Sequence, residues 1–582
     1  MQPQITVLDA GGQYCHLIAR KVRDLGVYAE VAPSETAASE LAGRKGVIVS
    51  GGPSSVYDPA SPTIDPRLLH SSSAVLGICY GQQLIAHLLG GQVEKGERGE
   101  YGFAQLDLLR DNPLFRGIER TQQVWMSHRD LVAKAPPGFE VLARTGTCHI
   151  AAIASATEKV YAVQFHPEVA HTPSGPRILK NFLFDICGCE RDWNPAGQLQ
   201  ELEEQVRATA GGRGIFFFVS GGVDSTVAYT LCLRAVGADR VRGTYVDTGL
   251  MREGETEFVR ANFAALGAHG FQVEDAAPQF LSALAMAVEP ERKRHAIGEE
   301  FVRVQERILE SEHFLNGHWI LGQGTIYPDT IESGGTTKAD LIKTHHNRVP
   351  GIQKLMSEGR IVEPLASFYK DEVRAIGREL GIPAALLERH PFPGPGLAIR
   401  CLCGSESAPP QKTAGGWVLP VRSVGVQGDS RTYRATLAID DFPETADEAA
   451  RLVNSSEGIN RVVVAAGGGR IQEMRSIASR LTAERLERLR RADAVVRRMS
   501  HESGFDREVW QFPVVLIPFG TAHRPDSVVL RPIDSVDGMT ANAVQMPKDL
   551  LARMTGELLG IDGVAGVFYD LTNKPPATIE WE

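Results

Sequence analysis

Residues 74–90, AVLGICYGQQLIAHLLG, indicate how the amino-terminal part of the chain folds. The apolar run AVLGI predicts a buried strand, and the apolar residues that recur at helical spacing after Gly81 predict an amphipathic helix. Gly77 and Gly81 flank Cys79 at the sharp turn between the two, where little steric bulk fits. We therefore expect the Cys79 thiol at the carboxyl end of a strand, beside a helix N-terminus that favours the thiolate. A cysteine considered alone is often only a buried core residue, so a catalytic role for Cys79 needs support from other segments of the sequence.

Short apolar runs before and after this segment extend the same pattern over residues 1–190. The runs ITVLD, GVIVSGG and YAVQFH alternate with helix-like segments, which predicts a mainly parallel sheet with helices on both faces. A linker, CGCERDWNPAG, follows. Residues 195–400 resume the alternation through IFFFVS, GTYVDTG, GFQVED and WILGQGT, so we expect a second doubly wound α/β domain.

Residues 404–582 predict an α+β domain with two related halves. The segments TYRATLAIDD and GINRVVVAAGG enclose one helix-like stretch, and DSVVLRPIDS and GVAGVFYDLT enclose another. Gly458 and Gly563 hold matching positions in this internal repeat of strand, helix and strand. The run RHPFPGPG, which precedes the domain, predicts a rigid loop because it is so rich in proline and glycine.

The composition of the chain argues against some classes of function. The chain has 582 residues and a net charge of -10, which suits several domains and argues against general binding of nucleic acid or membrane surfaces. No signal peptide and no long apolar stretch is evident, so we expect a cytoplasmic protein. Its eight cysteines should remain thiols there. The pairs Cys187/Cys189 and Cys401/Cys403 lack the spacing and the histidines typical of zinc sites.

Two further segments supply partners for the thiol. In YAVQFHPEVAHT, we expect an extended strand on which residues two apart share a face, so His166 and Glu168 project together and the carboxylate can hold the imidazole in one tautomer. In VIVSGGPSS, the glycines end a strand, where backbone N–H groups can face a reacting carbonyl oxygen. The N–H groups of Gly52 and Tyr80 are therefore candidates for an oxyanion hole.

The order of SGGP, GICYGQQ and FHPE resembles the class I glutamine amidotransferase family. The resemblance implies that the Cys79 thiolate attacks the carboxamide of glutamine, that His166 protonates the departing ammonia, and that water cleaves the thioester. It also implies that Gln83 contacts the bound glutamine. Gln82 and Arg129 depart from the residues that are frequent in the family, which affects fine contacts to glutamine but not the Cys-His-Glu triad.

A second chemical centre follows the apolar run IFFFV. A glycine loop between a buried strand and a helix presents backbone donors and a positive dipole end to an anion. A plain glycine turn is the alternative, and a Walker A loop is excluded because the chain has no Gly-Lys dipeptide. The loop consists of Ser220, Gly221, Gly222, Val223, Asp224 and Ser225.

The string SGGVDS resembles the PP-loop of the ATP pyrophosphatase family, which splits ATP between its α- and β-phosphates. The resemblance implies that the loop cradles pyrophosphate and that Asp224 helps to hold Mg²⁺. Asp329 is implied as a second acidic contact. Lys370 is implied as a phosphate contact, although a solvated helix charge is the alternative in the run YKDEVR.

The segments VRSVGVQGDSRTY, THHN, RHPFPGPG and LTNKPPATIEWE resemble the GMP synthetase family. The resemblance implies that XMP is adenylated at O2 with ATP and then aminated by ammonia from glutamine, in guanine nucleotide biosynthesis. Basic residues suit the 5′-phosphate, and a carboxylate can pair with a purine N–H. The XMP contacts carried over are Arg294, Asp429, Arg431, Lys574 and Glu580. An exposed charged tail is the alternative for the last two.

Two other classes of function are weighed against this one. A glutamine-dependent NAD synthetase also joins a glutaminase to a PP-loop, but it would lack GICYG and FHPE. A catalytically inactive binding protein is disfavoured by the intact triad and loop. The long segment GGRIQEMRSIASRLTAERLERLRRADAVV between the repeat halves resembles the long form of the family. A monomer and a homodimer both remain open.

Overall fold

The computed structural model describes residues 2–12, 14–332, 349–389, 392–427, 430–443, 452, 458–535, 541–574 and 576–582. The chain divides into two compact units, Met1–Gln198 and Leu199–Glu582. The expected division at residues 190, 195, 400 and 404 into three domains stays a prediction. Among the described residues, no helix is both long and apolar enough to cross a membrane.

The first unit is built on one nine-stranded sheet. Its strands are β1 (Ile5–Asp9), β2 (Ala29–Pro33), β3 (Gly46–Val49), β4 (Ala74–Ile78), β5 (Gln92–Leu108), β6 (Thr121–Lys134), β7 (Glu140–Arg144), β8 (Ala152–Ser155) and β9 (Val160–Val163). Their order is β2-β1-β3-β4-β9-β8-β7-β5-β6. Its helices are α1 (Cys15–Asp24), α2 (Tyr80–Leu88) and α3 (Gly175–Lys180), which continues into the π-helical turn Asn181–Ile186.

The central strands of this sheet are parallel and buried. Strand β4 lies between β3 and β9, and all three run in the same direction. Every residue of these three strands is buried, as near-continuous apolar runs in a covered parallel sheet predict. Their carboxyl ends therefore meet at one edge, directly before the segments SGGP, CYGQ and FHPE.

The second unit begins with a five-stranded sheet that is parallel throughout. Its strands are β10 (Gly214–Val219), β11 (Val241–Asp247), β12 (Phe271–Asp275), β13 (Trp319–Gly322) and β14 (Ile361–Val362). The strand order is β12-β11-β10-β13-β14, so the chain builds the sheet first on one side of β10 and then on the other. The carboxyl end of the strand at such a switch point is where α/β sheets of this kind bind ligands. The helices are α4 (Leu199–Ala210), α5 (Val223–Val236), α6 (Glu255–Ala265), α7 (Ala277–Leu284), α8 (Pro290–Ser311), α9 (Tyr327–Glu332), α10 (Pro350–Ser357), α11 (Lys370–Glu379) and α12 (Ala384–Leu387).

The rest of the second unit contains a mixed seven-stranded sheet with the order β15-β16-β17-β18-β25-β22-β20. The strands of this region are β15 (Gln411–Thr413), β16 (Gly416–Gln427), β17 (Ser430–Ile439), β18 (Ile459–Gly468), β19 (Arg475–Ser476), β20 (Val514–Ile517), β21 (Phe519–Gly520), β22 (Asp526–Leu530), β23 (Ile533–Asp534), β24 (Asn542–Ala543) and β25 (Val564–Asp570). Helices α13 (Ala483–Ser503) and α14 (Lys548–Leu559) complete it.

The internal repeat is visible in the register of this sheet. Strands β17 and β18 are parallel, as are β22 and β25, and both pairs have a register shift after their first paired residue. Gly458 and Gly563 immediately precede the second strand of each pair, with φ angles of 81° and 82°. Because both glycines adopt the left-handed conformation at equivalent positions, the two halves enter their strands in the same way.

Candidate active site

The turn between β4 and α2 forces Cys79 into an unusual backbone conformation. Its φ angle is 53°, one of few positive values among the described non-glycine residues, and it forms the N-cap of α2. The glycines of the motif allow this turn because a Cβ at Gly81 would lie 2.4 Å from the carbonyl oxygen of Val49. A Cβ at Gly77 would lie 2.7 Å from backbone atoms of Gly81. The motif therefore forms the strained elbow that the sequence predicts.

His166 and Glu168 form a buried pair next to the elbow. Nδ1 of His166 lies 2.7 Å from Oε1 of Glu168, and these side chains are 5% and 0% exposed. Strand β9 ends at Val163, so the two residues stand on the turn that follows and not on the strand itself. The reasoning from strand alternation was wrong on this point, because the backbone N–H of His166 bonds to the carbonyl oxygen of Trp125 and fixes the turn.

The environment of His166 favours its protonated form. Burial lowers the pKa of His166, but the charge of Glu168, the interaction with Cys79 and the hydrogen bond to Glu168 outweigh that effect and hold the pKa well above its usual value. Nε2 of His166 is buried and makes no hydrogen bond among the described residues. An imidazole fixed through Nδ1, with Nε2 left for Cys79, suits proton exchange with a thiol or with a leaving amine.

The SGGP loop lies against both of these groups. A Cβ at Gly51 would lie 3.1 Å from Cε1 of His166 and 3.5 Å from Cβ of Cys79. In the described part of the chain, no hydrogen bond is donated by the N–H of Gly52 or of Tyr80. Tyr80 is the first residue of α2, where a backbone N–H has no partner within its own helix. Both predicted donors of the oxyanion hole are therefore available.

Strand β6 forms another wall of this site, which the sequence analysis treated only as a departure from the family pattern. Sγ of Cys79 lies 3.6 Å from the carbonyl oxygen of Ser127. Nε2 of Gln83 donates to the carbonyl oxygen of Asp130 at 2.6 Å, so the predicted glutamine contact also fastens α2 to β6. The carboxylate of Asp130 accepts a hydrogen bond from Ser55 at 2.6 Å. No local pattern marks Ser55, because its partner is 75 residues away.

The glycine loop of the second unit stands at the carboxyl end of β10. Gly221 has a φ angle of 74°, and Gly222 is the N-cap of α5. Oγ of Ser220 lies 3.0 Å from Oγ of Ser225, and the N–H of Gly222 donates to Oγ of Ser220 at 3.3 Å. Val223 and Asp224 begin the helix. The loop thus places the N-terminus of α5 at the sheet edge, which suits an anion site.

Two of the residues predicted for this centre meet directly. Nζ of Lys370, the first residue of α11, lies 3.1 Å from Oδ2 of Asp224. A Cβ at Gly324 would lie 2.8 Å from the backbone nitrogen of Ser225, so the segment that leads to Asp329 packs on the loop. Oδ2 of Asp329 accepts a hydrogen bond from the N–H of Ile326 at 3.0 Å.

Arg389 is a contact of the glycine loop that the sequence analysis missed. Its Nη1 donates to the carbonyl oxygen of Gly221 at 3.3 Å, and its Nη2 lies 2.5 Å and 2.7 Å from the two carboxylate oxygens of Glu255. The guanidinium also lies over the ring of Phe258. Arg389 is the first residue of the run RHPFPGPG, which the sequence analysis assigned to a rigid loop and to the resemblance with the GMP synthetase family without giving Arg389 a contact.

The predicted XMP contacts are placed in part. Nη2 of Arg294 donates to the backbone oxygen of Glu582 at 2.6 Å, which brings this arginine to the segment that contains Glu580. Both carboxylate oxygens of Glu580 accept hydrogen bonds from Arg400, at 2.7 Å and 2.9 Å. The backbone of Lys574 pairs with Ala541. Asp429 and the side chain of Arg431 lie outside the described residues.

Within the described part of the chain, no group of three or more histidine, cysteine or acidic side chains is arranged to hold a metal ion. Oδ1 of Asp224 is nevertheless buried without a hydrogen-bond partner in that part of the chain. Mg²⁺ usually binds through one or two carboxylates together with substrate phosphates, so a single free carboxylate oxygen beside a glycine loop that suits an anion fits it.

Two family models and several curated proteins match this chain. Residues 6–186 match the family model "Glutamine amidotransferase class-I", and residues 498–581 match "GMP synthase C terminal domain". A GMP synthase (glutamine-hydrolyzing) of Caldicellulosiruptor saccharolyticus is 40% identical, with 100% of each chain covered. The corresponding protein of Geobacillus kaustophilus is 39% identical, again with 100% of each chain covered. The chain belongs to the glutamine-hydrolysing GMP synthase family.

Proposed function

We propose that this chain makes GMP from XMP, using ATP to activate XMP and glutamine as the source of ammonia. The observation that carries the proposal is that one chain holds a strained elbow thiol beside a His-Glu pair and also a glycine loop at the reversal point of a parallel sheet. Membership of the glutamine-hydrolysing GMP synthase family supports the same reaction. The products are GMP, AMP, pyrophosphate and glutamate.

The first unit hydrolyses glutamine. Cys79 transfers its proton to Nε2 of His166 and attacks the carboxamide carbon, while the N–H groups of Gly52 and Tyr80 bind the oxygen that becomes negative. His166 then gives the proton to the departing ammonia, and a thioester remains on Cys79. Water, deprotonated by His166, cleaves the thioester and releases glutamate. Glu168 stabilises the imidazolium form of His166 during both steps, and Gln83 orients the glutamine.

The second unit activates XMP. The O2 atom of XMP attacks the α-phosphorus of ATP, and pyrophosphate leaves into the loop of Ser220, Gly221, Gly222, Val223 and Ser225. Lys370 neutralises charge on the departing pyrophosphate, and Asp329 is a further acidic contact. Ammonia then attacks C2 of the purine, and AMP leaves with the electrons of the C–O bond.

Magnesium fits the same loop. Asp224 is the residue that would hold it, because Oδ1 of Asp224 is buried without a partner in the described part of the chain and Oδ2 faces Lys370. When bound, Mg²⁺ supplies positive charge that stabilises the negative charge developing on the phosphates.

The acceptor site is assigned to the residues carried over from the family. Arg294 and Lys574 suit the 5′-phosphate of XMP, and Asp429 and Arg431 complete the polar contacts. Each oxygen of Glu580 keeps a second acceptor position after bonding Arg400, so this carboxylate can still bind a purine N–H. The cytoplasmic location and the choice between monomer and homodimer stay predictions.

Loss of xanthine absorbance on mixing the protein with XMP, ATP and Mg²⁺ tests the reaction, with either glutamine or ammonium salt as nitrogen source. We expect Cys79→Ala to lower the glutamine-driven rate by about 10³-fold or more and to keep the ammonia-driven rate, because only glutamine hydrolysis needs the nucleophile.

Cys187→Ala is the matched control, since this thiol lies at the opposite end of the sheet, where a Cβ at Gly46 would approach its sulfur to 2.6 Å. It should leave both rates unchanged. Formation of ADP in place of AMP, or equal loss of both rates in Cys79→Ala, would contradict the proposal.

A further inference from the structure

Ser50 connects the end of β3 to the loop that faces the catalytic groups. The residue is fully buried and directly precedes Gly51 and Gly52. Its Oγ accepts a hydrogen bond from the N–H of Ala10 at 3.0 Å and donates one to the carbonyl oxygen of Gly51 at 3.0 Å. Neither the proposed chemistry nor the sequence analysis gives this hydroxyl a role.

The peptide group between Gly51 and Gly52 is the one that Ser50 holds. In a planar trans peptide, the C=O of the first residue and the N–H of the second point in opposite directions. The Gly51 carbonyl faces the segment of Ala10 and Gly12, because a Cβ at Gly12 would lie 2.1 Å from that oxygen. The N–H of Gly52 therefore points away from that segment.

The α-carbon of Gly51, at which this peptide begins, lies beside the nucleophile. The Cβ position of Gly51 lies within 3.5 Å of both Cε1 of His166 and Cβ of Cys79. No acceptor for the Gly52 N–H exists among the described residues. An unpaired donor held beside the thiol is suited to a negative oxygen that forms only during the reaction.

Two consecutive glycines do not by themselves fix the orientation of the peptide between them, because glycine populates positive and negative φ about equally. Rotation of the peptide by half a turn would exchange the N–H of Gly52 for the carbonyl oxygen of Gly51. This carbonyl oxygen would then repel the negative oxygen that forms on the substrate. Something outside the glycines has to select the useful orientation.

We propose that Ser50 is a positioning residue which locks the Gly51–Gly52 peptide so that the Gly52 N–H faces the developing oxyanion. The inference rests on the proposed glutaminase function of the first unit. As a positioning residue, Ser50 does not touch glutamine and acts only through the peptide that it holds. Its effect should therefore fall on the transition state and on tetrahedral adducts, and not on the binding of glutamine.

The test compares Ser50→Ala with Ser73→Ala in the full chain. Ser73 is also buried and also donates to a backbone carbonyl, that of Arg44 at 2.7 Å, but it precedes β4 at the other end of the sheet. We expect Ser50→Ala to lower kcat for glutamine hydrolysis by roughly 10- to 100-fold, with KM within about twofold of wild type, since loss of an oxyanion donor costs about 10²- to 10³-fold. Ser73→Ala should keep the wild-type kcat.

Two more measurements separate positioning from general damage. The affinity for glutamate γ-semialdehyde, an aldehyde that forms a tetrahedral adduct with a thiol, should fall by about the same factor as kcat. The rate at which iodoacetamide alkylates Cys79 should not change, because that reaction needs the thiolate but no oxyanion hole. Slower alkylation in Ser50→Ala would overturn the inference, since the elbow itself would then be disturbed.

A second pair of variants covers the case in which Ser50→Ala does not fold. Thr and Val have nearly the same shape and differ in the hydroxyl, so Ser50→Thr should exceed Ser50→Val in kcat by tenfold or more. A difference below threefold would overturn the role of Ser50. If the wild-type chain itself releases no glutamate from glutamine, the proposed function fails instead, before any variant is compared.

Discussion

Cys79, the proposed nucleophile, has a strained backbone conformation. A non-glycine residue with φ of 53° costs on the order of 1–3 kcal/mol, which the surrounding structure has to offset. The offset comes from burial of β4 and α2 and from the bond between the N–H of Cys79 and the carbonyl oxygen of Val163, at 2.8 Å. The strain holds the sulfur at the sheet edge, next to His166, where the proposed chemistry needs it.

The raised pKa of His166 predicts how stability depends on pH. A histidine whose pKa is raised in the folded protein contributes stability that is complete below the unfolded pKa of about 6.5 and is lost as pH rises through the folded value. Glu168→Gln removes one source of that increase. Both proteins are measured in a Cys79→Ala background to avoid titration of the thiol. The free energy of unfolding in urea should be larger for the chain that keeps Glu168 than for the Glu168→Gln variant. This difference in free energy should be larger at pH 6.5 than at pH 9.5.

The control for this measurement is a similar pair at the surface. Nδ1 of His70 lies 3.0 Å from Oε2 of Glu158, and these side chains are 62% and 40% exposed. Because solvent screens exposed pairs, Glu158→Gln should change the free energy of unfolding by less than about 1 kcal/mol at either pH. A stabilisation by Glu168 that is larger at pH 9.5 than at pH 6.5 would contradict a raised pKa of His166.

At the scale of elements, the glycine loop is contacted by Arg389, which lies 168 residues after Gly221 in the chain. From the start of α5, Oγ1 of Thr226 and Oγ of Ser225 both donate to the carbonyl oxygen of Gly222 in the loop. Arg389 adds the contact to Gly221 from outside. A loop that must present its N–H groups to phosphate is more effective when its carbonyl groups are held elsewhere.

Replacement of Arg389 should weaken the use of ATP. Hydrogen bonds to charged groups contribute about 1.5–3 kcal/mol, so we expect Arg389→Ala to lower kcat/KM for ATP by roughly 10- to 100-fold. Arg389→Lys should recover little, because a lysine cannot engage both oxygens of Glu255 and the carbonyl of Gly221 together. The measurement is pyrophosphate release with saturating ammonium salt and XMP.

Arg378→Ala provides the comparison for Arg389. Arg378 is 59% exposed and stands near the end of α11, 3.8 Å from Glu388. Its replacement should leave pyrophosphate release unchanged. Equal kcat/KM values for Arg378→Ala and Arg389→Ala would show that the guanidinium of Arg389 does not support the loop.

At the scale of the whole molecule, a buried ionic cluster joins the two repeat halves of the second unit. Oδ2 of Asp570, at the end of β25, lies 2.8 Å from both Arg461 on β18 and Arg531 after β22. Oδ2 also accepts a hydrogen bond from Nε1 of Trp581. Burial raises the pKa of Asp570, but the two guanidinium groups outweigh this effect and lower that pKa below its usual value.

Loss of this carboxylate should destabilise the second unit strongly. Asp570→Asn leaves two buried guanidinium groups without a counter-charge, so we expect a loss of about 3–5 kcal/mol in the free energy of unfolding, measured with urea. Asp562→Asn is the control, because that side chain is exposed and precedes β25 in the same segment. It should change the value by less than about 0.5 kcal/mol. Similar losses in both variants would contradict the role of the cluster.

The sequence by itself determined the local features: the buried strands, the elbow at Cys79, the glycine loop and the matching positions of Gly458 and Gly563. These follow from periodicity and from residues with special backbone freedom, which act over a few neighbours. Only the tertiary structure decided that His166 stands on a turn, that Ser50 holds the loop peptide, and that Arg389 reaches Gly221. Such partners are set by how distant segments pack, and no pattern within one segment encodes a contact with another.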